Sequence, residues 1–173
     1  PEEQPSDEEV RRYDRQRKDK RVSNEEWVSA TDPDARIAKM KDGTTHLAYK
    51  AEHVVDLKSD LILAAEIRPA DHADSATLVD SVAAAQINLE KAGSEVEIEE
   101  VAADKGYHAA ATIELAEAID VRTYIPEPKR THKSRWVDKV PGLQDAVYAN
   151  RRRVRRAKGK ALQRRRSEVC ERS

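Results

Sequence analysis

The hydrophobic positions of this chain change period several times, and each change predicts an element. From Thr45 to Asp56, "THLAYKAEHVVD" sets Leu47, Tyr49 and Ala51 on one side against polar neighbours, the alternation of a half-buried strand. "LKSD" reads as a hairpin turn, and "LILAAEIRPAD" supplies the partner strand from Leu61 to about Arg68. Pro69 ends it, since proline cannot donate to a ladder. The period then becomes helical: Leu78, Val82, Ala85 and Leu89 share a stripe, with Asp74 or Ser75 as cap and Gly93 closing the helix. Ile98 to Ala103 is a short apolar run, read as a buried strand. A helix from Ala109 to Ile119 follows, with Ile113, Leu115 and Ala116 as its apolar side. Val121 to Ile125 is another strand, halted by Pro126 and Pro128. A last long helix is predicted from Leu143 or Gln144 to the end, with Gly159 as its weak point.

The flanks are less regular. Residues 1–23 alternate acids and bases with almost no apolar stripe, and Ser6 with Glu9 has capping-box spacing, so a helical or disordered arm is expected. Residues 24–44, containing "TDPDARIAKMKD", are expected to be irregular, and residues 129–142 to be a basic loop. Three regions follow: an arm over 1–23, an α/β core over 24–142 and a basic C-terminal helix over 143–173. Two antiparallel strands followed by β-α-β-α units predict a mixed sheet with helices on both faces. That order resembles an RNase H-like domain whose first strand is missing.

Composition narrows the picture. Hydrophobic and charged residues each make up 38% of the 173 residues, with no Phe and seven Trp plus Tyr, a thin core for the length. No apolar run approaches about 18 residues, so no membrane partner is expected, and no signal peptide is visible. One cysteine, Cys170, excludes an internal disulfide and fits a reducing cytoplasm. Pro1 is not Met, and the chain stops at Ser173 within a basic helical pattern, which predicts an internal fragment.

The net charge of −1 hides a split. From Asn150 onward eleven Lys and Arg face Glu168 and Glu171, an excess of +9, so residues 1–149 carry −10. Such a block suits a polyanion, with nucleic acid as the leading partner and a solvated helix as the alternative. The candidate DNA-binding residues are Arg151, Arg152, Arg153, Arg155, Arg156, Lys158, Lys160, Arg164, Arg165 and Arg166. Trp136, beside Lys133, Arg135 and Lys139, could stack on an unpaired base or cover a loop. The five histidines show no zinc-ligand spacing.

One carboxylate stands out. In "EEVAADKGYHAAATIELAEAI", Asp104 ends a core strand directly before Lys105, Gly106 and Tyr107. Turn chemistry accounts for it, and so does the habit of α/β sheets of holding reactive groups at strand tips.

Three blocks in order, "DPDARIAKMKDGTTHLAYKAEHVVD", "VAADKGYH" and "VYANRRRVRRAKGKALQRRRSEVCERS", resemble bacterial insertion-sequence transposases with an Asp-Asp-Glu (DDE) catalytic core. The resemblance spans the chain from about Ser23. It implies that Asp104 is the second metal-binding acid and Glu171, in "ERS", the third, with Glu168 one turn earlier as the fallback. It implies a two-metal site for Mg²⁺ (or Mn²⁺), since paired hard cations stabilise the attacking and leaving oxygens of a phosphoryl displacement. It further implies DNA partners (transposon ends and target), a homo-oligomer in the intact enzyme and a cytoplasmic, nucleoid-associated setting.

Several residues depart from that pattern. Seven and four residues before Glu171 stand Arg164 and Ser167, where related transposases often carry Tyr and Arg; Arg166 is a possible substitute. The first acid has no strand to sit on: Asp7, Asp14 and Asp19 lie in the polar arm, and Asp56 ends what the family order makes the next strand. The expectation is a transposase fragment inactive alone, with a non-enzymatic nucleic-acid-binding remnant as the competing reading.

Overall fold

The computed structural model describes residues 6–16, 18, 23–39, 43–129, 136 and 140–170. They divide into two compact units, one made of 1–49 with 69–71, the other of 50–68 with 72–173.

In the first unit, helix α1 (Asp7–Gln16) starts at the expected capping box. Ser6 N donates to Glu9 Oε2 at 2.9 Å and Glu9 N to Ser6 Oγ at 3.4 Å. The segment expected to be irregular contains a strand, β1 (Arg36–Lys39), paired antiparallel with the start of β2 (Thr45–Val55) from Arg36↔Ala48 to Lys39↔Thr45. Only four residues long, β1 is too short to show a hydrophobic period. Asn24 fastens it, accepting from Ile37 N at 2.8 Å.

In the second unit, β2 continues and pairs with β3 (Ile62–Pro69) across the predicted turn. Asp60 takes the left-handed backbone there (φ 64°), which Asp tolerates better than most residues. The side predicted to face inward is reversed from Tyr49 onward. Tyr49 and Ala51 are exposed, whereas Lys50, Glu52 and Val54 turn inward, Glu52 to 5% exposure.

Helix α2 (Asp74–Lys91) buries Leu78, Val82 and Ala85 as expected, and Gly93 follows it at φ 76°. Its N-cap is Ala73 without a side-chain bond, so neither Asp74 nor Ser75 caps it. Strand β4 (Glu100–Ala102) runs parallel to β5 (Arg122–Tyr124), and α3 (Ala110–Ala118) crosses between them. On α3, Thr112 is buried with Ile113 and Ala116, while Leu115 points to solvent. Leu78, Ile113, Ile125, Ala146 and Val147 form the main core cluster, and Val82, Ala116 and Val121 a second.

The long C-terminal helix is two helices, α4 (Leu143–Arg155) and α5 (Ala157–Cys170), broken at Arg156 by an extended backbone (ψ 164°). Gly159 is a contact rather than a weak point. A Cβ there would overlap the Arg153 carbonyl oxygen and approach Val154 Cα to 2.8 Å. The break puts helices on both faces of the β4–β5 pair. Successive side chains of β5 point to opposite faces: Thr123 donates to Asn150 of α4, and Lys158 of α5 lies over the Tyr124 ring. Among the described residues the strands are ordered β1-β2-β3 and β4-β5, and this mixed α/β arrangement with its helices agrees with the RNase H-like class expected.

Candidate active site

The tip of β4 is held from both flanks. Ala103 N donates to Tyr124 O at 3.4 Å, and Gln163 on α5 reaches down to donate to Ala103 O (3.2 Å) and Tyr124 O. The backbone therefore leaves the sheet at a fixed point, and Asp104 is the next residue, its side chain exposed. Asp104 Oδ1 accepts from Gly106 N at 3.2 Å, capping the short 3₁₀ turn Lys105–Tyr107. Both readings of this acid thus have a basis: one oxygen does turn chemistry, and the carboxylate still faces solvent at a strand tip.

The residues behind Asp104 explain the D-x-G-Y spacing. At Gly106 an added Cβ would lie 2.5 Å from Asp74 Oδ2, so no side chain fits without moving that carboxylate. Tyr107 is the anchor. Burial first, then the nearby carboxylates of Glu52 and Asp74, raise its phenol well above the usual range. Glu52 accepts from Thr77 Oγ1 (2.6 Å), Ser81 Oγ (3.0 Å) and Lys50 Nζ (2.9 Å). Arg68 Nε lies 3.3 Å from it without hydrogen-bond alignment. Burial works to raise the Glu52 pKa, but the hydrogen bonds from Thr77, Lys50 and Ser81 outweigh it, and the group stays ionised below the ordinary value. Lys50 also binds Asp74 Oδ1 at 2.7 Å, which ties the start of α2 into the network. Sequence reading missed this cluster. Its one signal was a glutamate in phase with Val54 on the face assumed to be wet.

Other candidates fall in different places. Asp56 is consumed by the hairpin turn, accepting from Ser59 Oγ (2.5 Å), Ser59 N (3.0 Å) and Lys58 N (3.3 Å). Glu168 is exposed on α5, 3.7 Å from Arg165. Glu171 lies outside the described residues, so its position relative to Asp104 is a matter for proposal. Of the departures noted above, Ser167 donates to Gln163 O (3.2 Å) and Arg166 Nε to Gln163 Oε1 (3.4 Å), so both brace α5.

The basic set splits in two. Arg153 turns inward, donating to Thr123 O (3.0 Å) and pairing with Glu117 at 2.5 Å. Arg151 pairs with Glu127 (2.8 Å), Lys158 with Glu100 (2.6 Å) and Arg165 with Asp60. Arg152, Arg155, Arg156, Lys160 and Arg164 are exposed and make no ion pair among the described residues. Trp136 packs edge-on against Tyr148 (6.1 Å) beside the main core.

As a metal donor, Asp104 offers the hard oxygen that Mg²⁺ or Mn²⁺ takes, but one carboxylate does not hold a pair of ions. Among the described residues no group of three or more His, Cys, Asp or Glu could hold a metal ion. No described helix is long and apolar enough to cross a membrane.

Comparison with known proteins places the arrangement. No curated protein and no solved structure matches the chain. The family model described as "Transposase DDE domain" matches residues 9–171, through the strand tip at Asp104 and both basic helices, and the chain belongs to that transposase family.

Proposed function

We propose that this domain takes part in metal-dependent phosphodiester cleavage and strand transfer at transposon ends, with Asp104 and Glu171 as metal-binding acids. The observation that supports it most is the presentation of Asp104. It is an exposed carboxylate at a parallel strand's C-terminal end, braced by Gln163 from one side and by the Tyr107–Glu52 network from the other. In the family reading Asp104 and Glu171 would be among the residues that hold divalent ions, and such ions would supply Lewis acidity toward a phosphodiester. The chain's own contribution is to hold the Asp104 oxygens within a narrow range, which such chemistry requires. Arg152, Arg155, Arg156, Lys160 and Arg164 supply the cations for DNA phosphates.

Residues 1–173 are inactive on their own in this proposal. The first-strand acid has no candidate among the described residues, because Asp56, the sole strand-end alternative, caps a turn. Supercoiled-plasmid nicking with Mg²⁺ or Mn²⁺ tests it. The 173-residue chain is expected not to nick, whereas a protein extended upstream through a strand ending in Asp nicks and loses that activity on Asp104→Ala. Nicking by residues 1–173 that Asp104→Ala abolishes would show that the acids are all present here. Unchanged nicking by the extended Asp104→Ala protein would remove Asp104 from the mechanism.

A further inference from the structure

The turn that presents Asp104 also presents Lys105, and it holds both at fixed points. Tyr107 N donates to Asp104 O and His108 N to Lys105 O, each at 3.1 Å. Gly106 sits against Asp74, and Tyr107 packs on the main core cluster. With the backbone of 104–108 fastened in this way, only the side chain of Lys105 keeps its freedom. It is exposed and makes no ion pair among the described residues. That isolation contrasts with the cations around it. Lys50 binds Glu52 (2.9 Å) and Asp74 (2.7 Å), and Arg68 meets Glu52 (3.3 Å) and Glu66. With Asp104 added, the four carboxylates Glu52, Glu66, Asp74 and Asp104 face the two cations Lys50 and Arg68, which leaves −2 at and behind the strand tip. The body over residues 1–149 is itself acidic, at −10. A phosphate that approaches Asp104 is repelled by both fields. Lys105 is the cation left over to oppose them.

We propose that Lys105 binds a phosphate of the DNA strand that comes to Asp104, and so holds that strand at the carboxylate. The reach suits the role. Consecutive Cα atoms are ~3.8 Å apart, and a lysine carries its charge on a flexible four-carbon stem, so the ammonium can span from the turn to a phosphate beside its neighbour. It acts as a point charge and accepts a phosphate oxygen from several directions, where an arginine fork would demand one geometry. Because the backbone beneath it is already fixed, binding orders one side chain and little else, which keeps the entropic cost low. The exposed cations of α4 and α5 hold the duplex by its phosphates in general; Lys105 adds a contact one residue from the acid. The inference deepens the reading of Asp104 as an acid at a DNA-cleaving centre and rests on it.

The test follows binding of a fluorescein-labelled duplex to the 173-residue chain by anisotropy, in metal-free buffer from about 0.05 to 0.4 M NaCl. Lys105→Gln is expected to lower the log–log salt slope by about 0.9, the value of one phosphate contact, and the affinity at 0.1 M NaCl by roughly eightfold. Its melting temperature should stay that of the parent chain, since the side chain has no partner among the described residues. Lys105→Arg keeps the charge and should keep both binding values. Lys91→Gln removes the same charge from an exposed lysine at the other end of α2, ~25 Å along the helix from Asp74, and should change neither. An unchanged slope in Lys105→Gln, while Gln at Arg152, Arg155, Arg156, Lys160 and Arg164 still lowers it, would overturn the proposal and leave the DNA reading standing. An equal loss in Lys91→Gln would overturn it as well, by reducing the effect to net charge. A parent chain that binds no duplex at about 0.05 M NaCl would overturn both.

Discussion

Asn150 is fully buried and serves two neighbours at once. Its Nδ2 donates to Ile125 O (2.8 Å), and its Oδ1 accepts from Ile125 N (2.9 Å) and Thr123 Oγ1 (3.2 Å). The backbone just past β5 has its polar groups satisfied by a helix side chain instead of a third strand. Asn150→Ala is expected to lose about 2–4 kcal/mol of stability in urea unfolding, because two buried backbone groups lose their partners. Glu52 carries a second prediction, in pH. Its folded pKa is depressed, so its contribution is fully present above the ordinary value of 4.5 and is lost as pH falls through the lower folded value. Unfolding free energies measured from pH 6 to pH 3 should fall, and Glu52→Gln should flatten that slope while lowering stability at pH 6. A slope unchanged by the substitution would assign the acid sensitivity to other carboxylates.

Elements are placed by a few contacts that their own sequences do not advertise. The turn at Arg156 lets α4 and α5 pack on opposite sides of β5, and Gly159 allows α5 to close against the end of α4. Gly159→Ala improves helix propensity by ~1 kcal/mol but forces a Cβ into rigid backbone, a clash of about 1–3 kcal/mol or more. The net effect should be destabilising by thermal denaturation, the opposite of what an exposed helix glycine gives. The same two helices carry the DNA prediction. Changing Arg152, Arg155, Arg156, Lys160 and Arg164 together to Gln should weaken duplex binding and reduce the log–log salt slope by up to about 4.5, at ~0.9 per phosphate contact. Arg153→Gln should leave that slope alone and lower the melting temperature, because its guanidinium holds Thr123 O and Glu117.

At the scale of the molecule, the charge split between residues 1–149 and 150–173 has an internal use. Four pairs, Arg151–Glu127, Arg153–Glu117, Lys158–Glu100 and Arg165–Asp60, fasten the basic helices to the acidic body. Part of the positive excess that sequence assigns to a polyanion is neutralised within the domain. Raising NaCl from 0.05 to 1 M should therefore lower the melting temperature, by an order of 2–4 °C, since partly exposed pairs are individually weak and screened. A rise with salt would mean that repulsion within the basic helices dominates.

Periodicity alone determined the hairpin, the β-α-β unit, the apolar stripe of α2 and the position of Asp104 at a strand tip, because each depends on neighbours within a few residues. The family was legible for the same reason: its motifs are contiguous blocks. What tertiary structure decided depends on residues far apart in the chain. A strand's alternation defines two faces but not which one meets a helix, so the inward turn of Glu52 and the outward turn of Tyr49 emerged only with α2 in place. Helical propensity runs on through Arg156 without a signal to stop, and the break follows from packing against two faces of β5. The basic run looks uniform in sequence, yet only the fold separates Arg153, half-buried against Thr123, from Arg152 beside it in solvent. Side-chain direction and the partner across a gap are set by packing, and packing is not written in any local window.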